Sequence, residues 1–197
     1  VKRAFCDGWS FFICLFLTRD MKIGLISDTH GFLDPGIFTV FEACDEIWHA
    51  GDFGTQEVID RLSAFKPLKG VYGNIDSPEI QYQFPLQLNW THGEFRILMT
   101  HIAGYPGKYL RKIKQWIAEN PCDLFICGHS HILKIIRDPV MGHLHINPGA
   151  CGQEGFHFMR TAVRFDLIDN QLKNLEIIEL GQRGLIHSPS SGLPVQA

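Results

Sequence analysis

Five short apolar runs, KIGLIS, EIWHAG, LKGVYG, RILMTH and DLFICG, each stop at or beside a residue able to hold a cation. Asp28-Thr29-His30 follows the first, Asp52 the second and Asn74 the third; His101 closes the fourth, and His129-Ser130-His131 follows the fifth. Runs of this length, rich in Ile, Leu, Val and aromatics and bounded by Gly or polar residues, read as buried strands. In an open α/β sheet, ligands collect in the crevice beyond the carboxyl ends of the strands, so five such ends can converge on one site. Successive candidate ligands lie 22 to 28 residues apart, close to one crossover unit of ~30 residues. The pairs Asp28/His30 and His129/His131 are spaced i, i+2, which on an extended chain puts both side chains on one side. Gly31, Gly51, Gly73 and Gly128 allow tight turns beside them.

Between the runs, residues 55–65 place Val58, Ile59, Leu62 and Phe65 at helical spacing, with Thr55 as N-cap. Residues 105–119 do the same with Leu110, Ile113 and Ile117, leaving a basic outer face. After residue 132, ILKIIRD, GHLHIN, TAVRFDLI and QLKNLEIIEL are separated by Asp-Pro, Pro-Gly and Asp-Asn signals, which read as antiparallel hairpins. An alternating front half and a hairpin-rich back half imply an α/β fold containing two sheets, within residues 21–181. Residues 1–20 read as an upstream extension. Lys2 and Arg3 ahead of the apolar run from Phe11 to Leu17 imitate a signal peptide, but no small-residue cleavage site follows. That run is also shorter than the ~20 residues a bilayer span needs. Residues 182–197, rich in Ser, Pro and Gly, read as a loose tail.

A net charge of −3 gives no overall basic field, so neither nucleic acid nor a membrane surface is an expected partner. Six cysteines without CxxC spacing read as free thiols in a reducing cytoplasm. The candidate ligands are Asp28, His30, Asp52, Asn74, His101, His129 and His131. Seven exceed the four of one zinc site but suit two ions if one carboxylate bridges. Nitrogen and oxygen donors without thiolate favour Mn, Fe, Co, Ni or Zn over Mg or Ca. Two ions ~3.5–4 Å apart serve in-line attack on phosphate esters by a bridging hydroxide. Two divalent ions, two carboxylates and one hydroxide leave a formal charge of about +1, which a phosphodiester would neutralise.

These residues resemble the calcineurin-like metallophosphoesterase superfamily. The match runs DTH at 28–30, GD at 51–52, GN at 73–74, His101 and GHSH at 128–131, with INPGA at 146–150 pointing to the small phosphodiesterase branch. That branch is similar in fold to the retromer subunit of vacuolar sorting. The resemblance implies a four-layer α/β/β/α sandwich of two mixed β-sheets flanked by helices, and manganese as the usual metal. It also implies that Asp28, His30 and His131 hold one ion, that Asn74, His101 and His129 hold the second, and that Asp52 bridges. Many superfamily phosphatases have GNH, whose His protonates the leaving group. Here GNID places Ile75 there, and Ile75 cannot act as an acid.

The reading is a phosphodiesterase acting on a small phosphate ester, and a homo-oligomer is compatible with it. The alternatives are a protein-binding scaffold on the same fold, or a nuclease. Asp76 and Asn147 are candidates to orient ligands, with plain turn roles as the alternative. His49 reads as a packed or supporting residue, and His143 and His145 as sheet-face residues. His92, His157 and His187 carry no pattern, although His157 lies in a glycine-flanked loop that could border the site. Lys108, Arg111, Lys112 and Lys114 read as a solvated helix face rather than a substrate patch.

Overall fold

The computed structural model describes residues 19–184. Strands β1 (Met21–Ile26), β2 (Glu46–His49) and β3 (Leu68–Gly70) are linked through helices α1 (Gly36–Val40) and α2 (Gln56–Phe65). They pair in parallel, with Ile23 opposite Glu46 and Ile47 opposite Leu68. Helix α3 (Pro78–Gln83) then leads to β4 (Gln87–His92) and β5 (Phe95–Thr100), an antiparallel pair in a second sheet. Helix α4 (Arg111–Glu119) carries the chain to β6 (Leu124–Ile126), and β7 (Leu133–Arg137) and β8 (Leu144–Pro148) form a hairpin. Strands β9 (Met159–Ile168) and β10 (Gln171–Gln182) return to the first sheet. The two sheets have the orders β10-β9-β1-β2-β3 and β4-β5-β6-β8-β7.

Both faces of the central strands are buried, and the period of two sorts their side chains into different layers. Ile23 and Leu25 of β1, Ile97 and Met99 of β5, Leu124 and Ile126 of β6, and Val163 and Phe165 of β9 meet between the sheets. Ile26 and Ala162 face outward onto Ile37, Val58, Leu62 and Ile80 of α1, α2 and α3. Leu98 and Phe125 face the other way, onto Ile113 and Ile117 of α4. This is the expected α/β/β/α sandwich of two mixed sheets.

Four local expectations are refined. The helix expected over 105–119 begins only at Arg111, because Gly104 and Gly107 adopt φ of +85° and +82° and break the preceding segment. Thr55 sits at the N-cap of α2 but makes no side-chain cap hydrogen bond. Strand β4 has no counterpart in the sequence reading. The back half is also not hairpins alone, since β8 pairs in parallel with β6. Expectations placed on residues 1–18 and 185–197, His187 included, lie outside the described residues. Cys44, Cys122, Cys127 and Cys151 are free and buried. No helix among the described residues is long and apolar enough to cross a membrane.

His143 and His145 are more than sheet-face residues. Both are buried, and both reach the Tyr109 hydroxyl, at 2.9 Å from His143 Nε2 and 3.0 Å from His145 Nδ1. Burial, reinforced by His143 and Lys134, lowers His145 to about 4. The unfolded chain therefore binds a proton that the folded chain refuses. The stability from neutral His145 is complete above ~6.5 and disappears as pH falls from there towards 4, about 3 kcal/mol in all. Urea unfolding between pH 7.5 and 4.5 should show this limb, and His145→Gln should flatten it by about one proton. An unchanged slope in the variant would remove His145 as its source.

Candidate metal centre

The carboxyl ends of β1, β2 and β3 in one sheet and of β5 and β6 in the other point to the same place. Asp28 and His30 leave β1, Asp52 follows β2 and Asn74 follows β3; His101 follows β5, and His129 and His131 follow β6. Backbone hydrogen bonds tie the loops together, Asp28 N to Gly51 O, His30 N to Asp52 O and Gly128 N to His101 O. Asp28 joins the sheets through its carboxylate, which accepts the His129 N–H at 3.1 and 3.2 Å.

The loops are not extended. Asp28, His30, Asp52, His129 and His131 have φ between +47° and +67°. The i, i+2 pairs thus face one site from left-handed backbone, which for non-glycine residues is uncommon and concentrates at functional sites.

Six of the seven candidates fall into two groups whose donor atoms lie within 4.8 Å of one another, Asp28/His30/His131 and Asp52/His101/His129. Within the first, His30 Nε2 is 3.2 Å from His131 Nε2, and His131 Nε2 is 3.2 Å from Asp28 Oδ1. In the second, His101 Nε2 is 3.1 Å from Asp52 Oδ2. Asn74 Oδ1 joins it at 3.2 Å from His101 Nε2. Asp52 Oδ2 also lies 3.6 Å from His30 Nε2 of the other group. Donors about 2.0–2.2 Å from a shared ion, at tetrahedral or octahedral angles, stand about 3.0–3.5 Å apart.

The hydrogen bonds behind these atoms orient them for a cation. His101 Nδ1 donates to Ala50 O at 2.8 Å, so its Nε2 turns a lone pair towards the oxygens of Asn74 and Asp52. A proton or a metal must sit among them, and a carbonyl behind the far nitrogen is the usual support of a ligating imidazole. Without a metal the proton is favoured. Burial opposes a charge on His101, but the Asp52 hydrogen bond and the Asp28 carboxylate outweigh it and raise its pKa. Burial likewise acts to raise Asp52, yet His101 and the Ile75 N–H hold it below the usual carboxylate range. The hydrogen bond to Asp28 raises His131 against burial, whereas burial and the His101 charge lower His129. This donor set fits divalent ions.

Asp76 accepts from Asp52 N and Gly73 N through Oδ2 and from Gly54 N through Oδ1. It clamps the Asp52 loop to the Asn74 loop. Asn147 donates to Gly128 O at 2.7 Å and accepts from Gly149 N, fixing the turn that carries His129. Fully buried His49 accepts the Gly51 N–H at Nδ1, so its Nε2–H donates to Thr29 Oγ1 and the Thr29 hydroxyl donates to Phe53 O. Burial pushes His49 down to about 3 and keeps it neutral in this role. His157 does border the centre, its ring 5.3 Å from that of His131. His92, at the end of β4, belongs to neither donor group. The Ala50 carbonyl carried no signal in the sequence, and Thr29 none beyond its place in the DTH match, because their roles depend on which atoms the folded loops bring together.

The calcineurin-like phosphoesterase superfamily domain matches residues 21–170. No curated protein matches. Among solved structures, the chain is similar to a predicted phosphoesterase from Streptococcus pneumoniae, at 22% identity and TM-score 0.61, over 82% of this chain and 91% of that one. A metallophosphoesterase from Sphaerobacter thermophilus matches at 18% identity and TM-score 0.58, over 84% and 90% of the two chains. Vps29 complexed with Zn²⁺ from Entamoeba histolytica matches at 18% and 0.57, over 82% and 100%. At these identities the likeness concerns the fold.

Proposed function

The chain belongs to the calcineurin-like phosphoesterase superfamily, and from that premise we propose that it is a two-metal phosphodiesterase. Asp28, His30 and His131 would hold one divalent ion, and Asn74, His101 and His129 the second, with Asp52 between them. The observation that carries this reading is the place of Asp52. Its Oδ1 accepts the Ile75 N–H at 3.1 Å, while Oδ2 is left within 3.1 Å of His101 and 3.6 Å of His30, one residue from each group. When bound, the ions acidify a water to give a nucleophile at neutral pH and offset charge on the phosphoryl oxygens, and Mn²⁺ suits the donor set.

The chain's own contribution is positioning. Its two carboxylates confine negative charge to the floor of the site, and the carbonyl behind His101 fixes that ring. Ile75, 45% exposed at the mouth, supplies no proton to a departing alkoxide. Esters with good leaving groups should therefore turn over best. The test strips the protein with chelator and assays bis(4-nitrophenyl) phosphate and 4-nitrophenyl phosphate before and after adding Mn²⁺. Diester turnover that depends on metal and exceeds monoester turnover is expected. Metal-independent turnover, or a monoester preference, would overturn the assignment.

One feature favours a second reading, a binding scaffold on the same fold. Ile75, Ile132, Phe156 and Phe158 are exposed in the loops of the candidate centre, more apolar surface than a small hydrolytic site requires. Metal-loaded protein inert towards both esters would support the scaffold.

A further inference from the structure

A cavity of about 590 Å³ opens beside the centre, with Asn74 and His101 in its wall. That is within the ~300–1,000 Å³ of small-molecule sites. Its interior comes from Tyr72, Leu86, Ile102, Leu110 and Ile113. Leu86, Ile102 and Leu110 are 55%, 37% and 51% exposed, three large apolar side chains at one opening. Polar capacity inside is small. Thr100 Oγ1 is already committed to Leu86 O, and no acidic side chain among the described residues lines the cavity. Arg111 and Lys112 also line it, from the first turn of α4, which holds no acidic residue. The helix dipole disfavours cations at that position, and these two, exposed to solvent, lie beside the centre where the phosphate would be held.

We propose that this cavity receives the apolar alcohol arm, aromatic or branched, of a phosphodiester whose phosphate lies at the metal centre. The inference rests on the two-metal reading for the position of the phosphate. A cationic arm would meet two cations and no carboxylate. A sugar or nucleobase arm carries more donors and acceptors than the Tyr72 hydroxyl and Gln87, the uncharged polar groups left in the lining, can satisfy. An apolar arm displaces water from side chains that otherwise stay wetted. A second cavity, about 220 Å³, reaches the centre at His129, with Tyr105, Ile132 and Lys134 in its wall. A diester has a use for both cavities, its smaller arm entering this one, while a monoester fills only one.

The test is direct binding of inert phosphinates to Mn²⁺-loaded full-length protein by calorimetry. Methyl(phenyl)phosphinate is compared with dimethylphosphinate; both are monoanionic like a diester and have only P–C arms, so turnover does not enter the readout. One methylene in an apolar pocket can discriminate about 10-fold or more, so the phenyl compound should bind at least about 10-fold more tightly. Leu110→Glu and Ile102→Ser, both at the exposed mouth, should each bring the ratio towards one without loss of folding. Equal affinities, or a preference that survives both substitutions, would overturn the assignment. So would a preference that fades at higher protein concentration together with doubling of mass in light scattering, which would give the cavity to a second copy. A phenyl preference in a protein that hydrolyses nothing would keep the cavity assignment and remove the hydrolase reading. Metal-dependent turnover with no preference would do the reverse.

Discussion

Asp52→Asn should lower metal-dependent diester hydrolysis by more than about 100-fold, the upper end of what losing a residue behind a ligand costs, and should leave the protein folded. The amide has nearly the carboxylate's shape and keeps an oxygen to accept the Ile75 N–H, now made at 3.1 Å. With that oxygen so placed, the amide nitrogen falls where Oδ2 stands, 3.1 Å from His101 Nε2 and 3.6 Å from His30 Nε2. An NH₂ there repels a cation from both donor groups at once. A substitution at Asn74, by contrast, removes one oxygen from one group. The check is metal content by mass spectrometry after dialysis against Mn²⁺, with kcat/KM on bis(4-nitrophenyl) phosphate and a melting curve. Full activity, or undiminished metal in a folded variant, would remove Asp52 from the bridging position.

How far such a site can be read before folding depends on which physical regularity carries it. A run such as RILMTH is buried on both faces and must end where its sheet ends. Parallel strands end on one edge, so Asp28, Asp52, Asn74, His101 and His129 could be gathered from strand patterns alone. The geometry inside the loops was not legible that way. Asp28 and His30 face one site because of left-handed backbone at φ of +55° and +47°, not because the chain is extended. That conformation is held by contacts such as Asp28 N to Gly51 O, which join residues far apart in sequence. Strand β4 escaped because its alternation of exposed and half-buried positions is weak without β5 beside it. The apolar cavity is harder still. Tyr72, Leu86, Ile102 and Leu110 come from four separate segments, and Leu110 reads in sequence as one more residue on a helix face, although α4 begins only after it, at Arg111.

Gly73→Ala should cost nearly as much activity as losing Asp52, although Gly73 carries no chemistry. A Cβ on Gly73 would stand 2.0 Å from Asp52 Oδ1, 2.4 Å from Asp52 N and 2.7 Å from Asp52 Cγ. Two of those atoms belong to the carboxylate itself, and the third is backbone, so turning the side chain alone does not relieve the clash. The Gly73 N–H is also held, donating to Asp76 Oδ2 at 2.8 Å, and the same oxygen accepts from Asp52 N at 3.1 Å. Either Asp52 turns away from His101 and His30, or the Asp76 clamp opens and the loops separate. Both outcomes damage the donor set, and overpacking of this kind destabilises by about 1–3 kcal/mol. For a domain of this size that lowers the melting temperature by about 2–4 °C per kcal/mol. Metal retention should fall with activity. A folded Gly73→Ala protein that keeps its metal and turns over diester at the parental rate would mean that the close approach of these two loops does not set the position of Asp52.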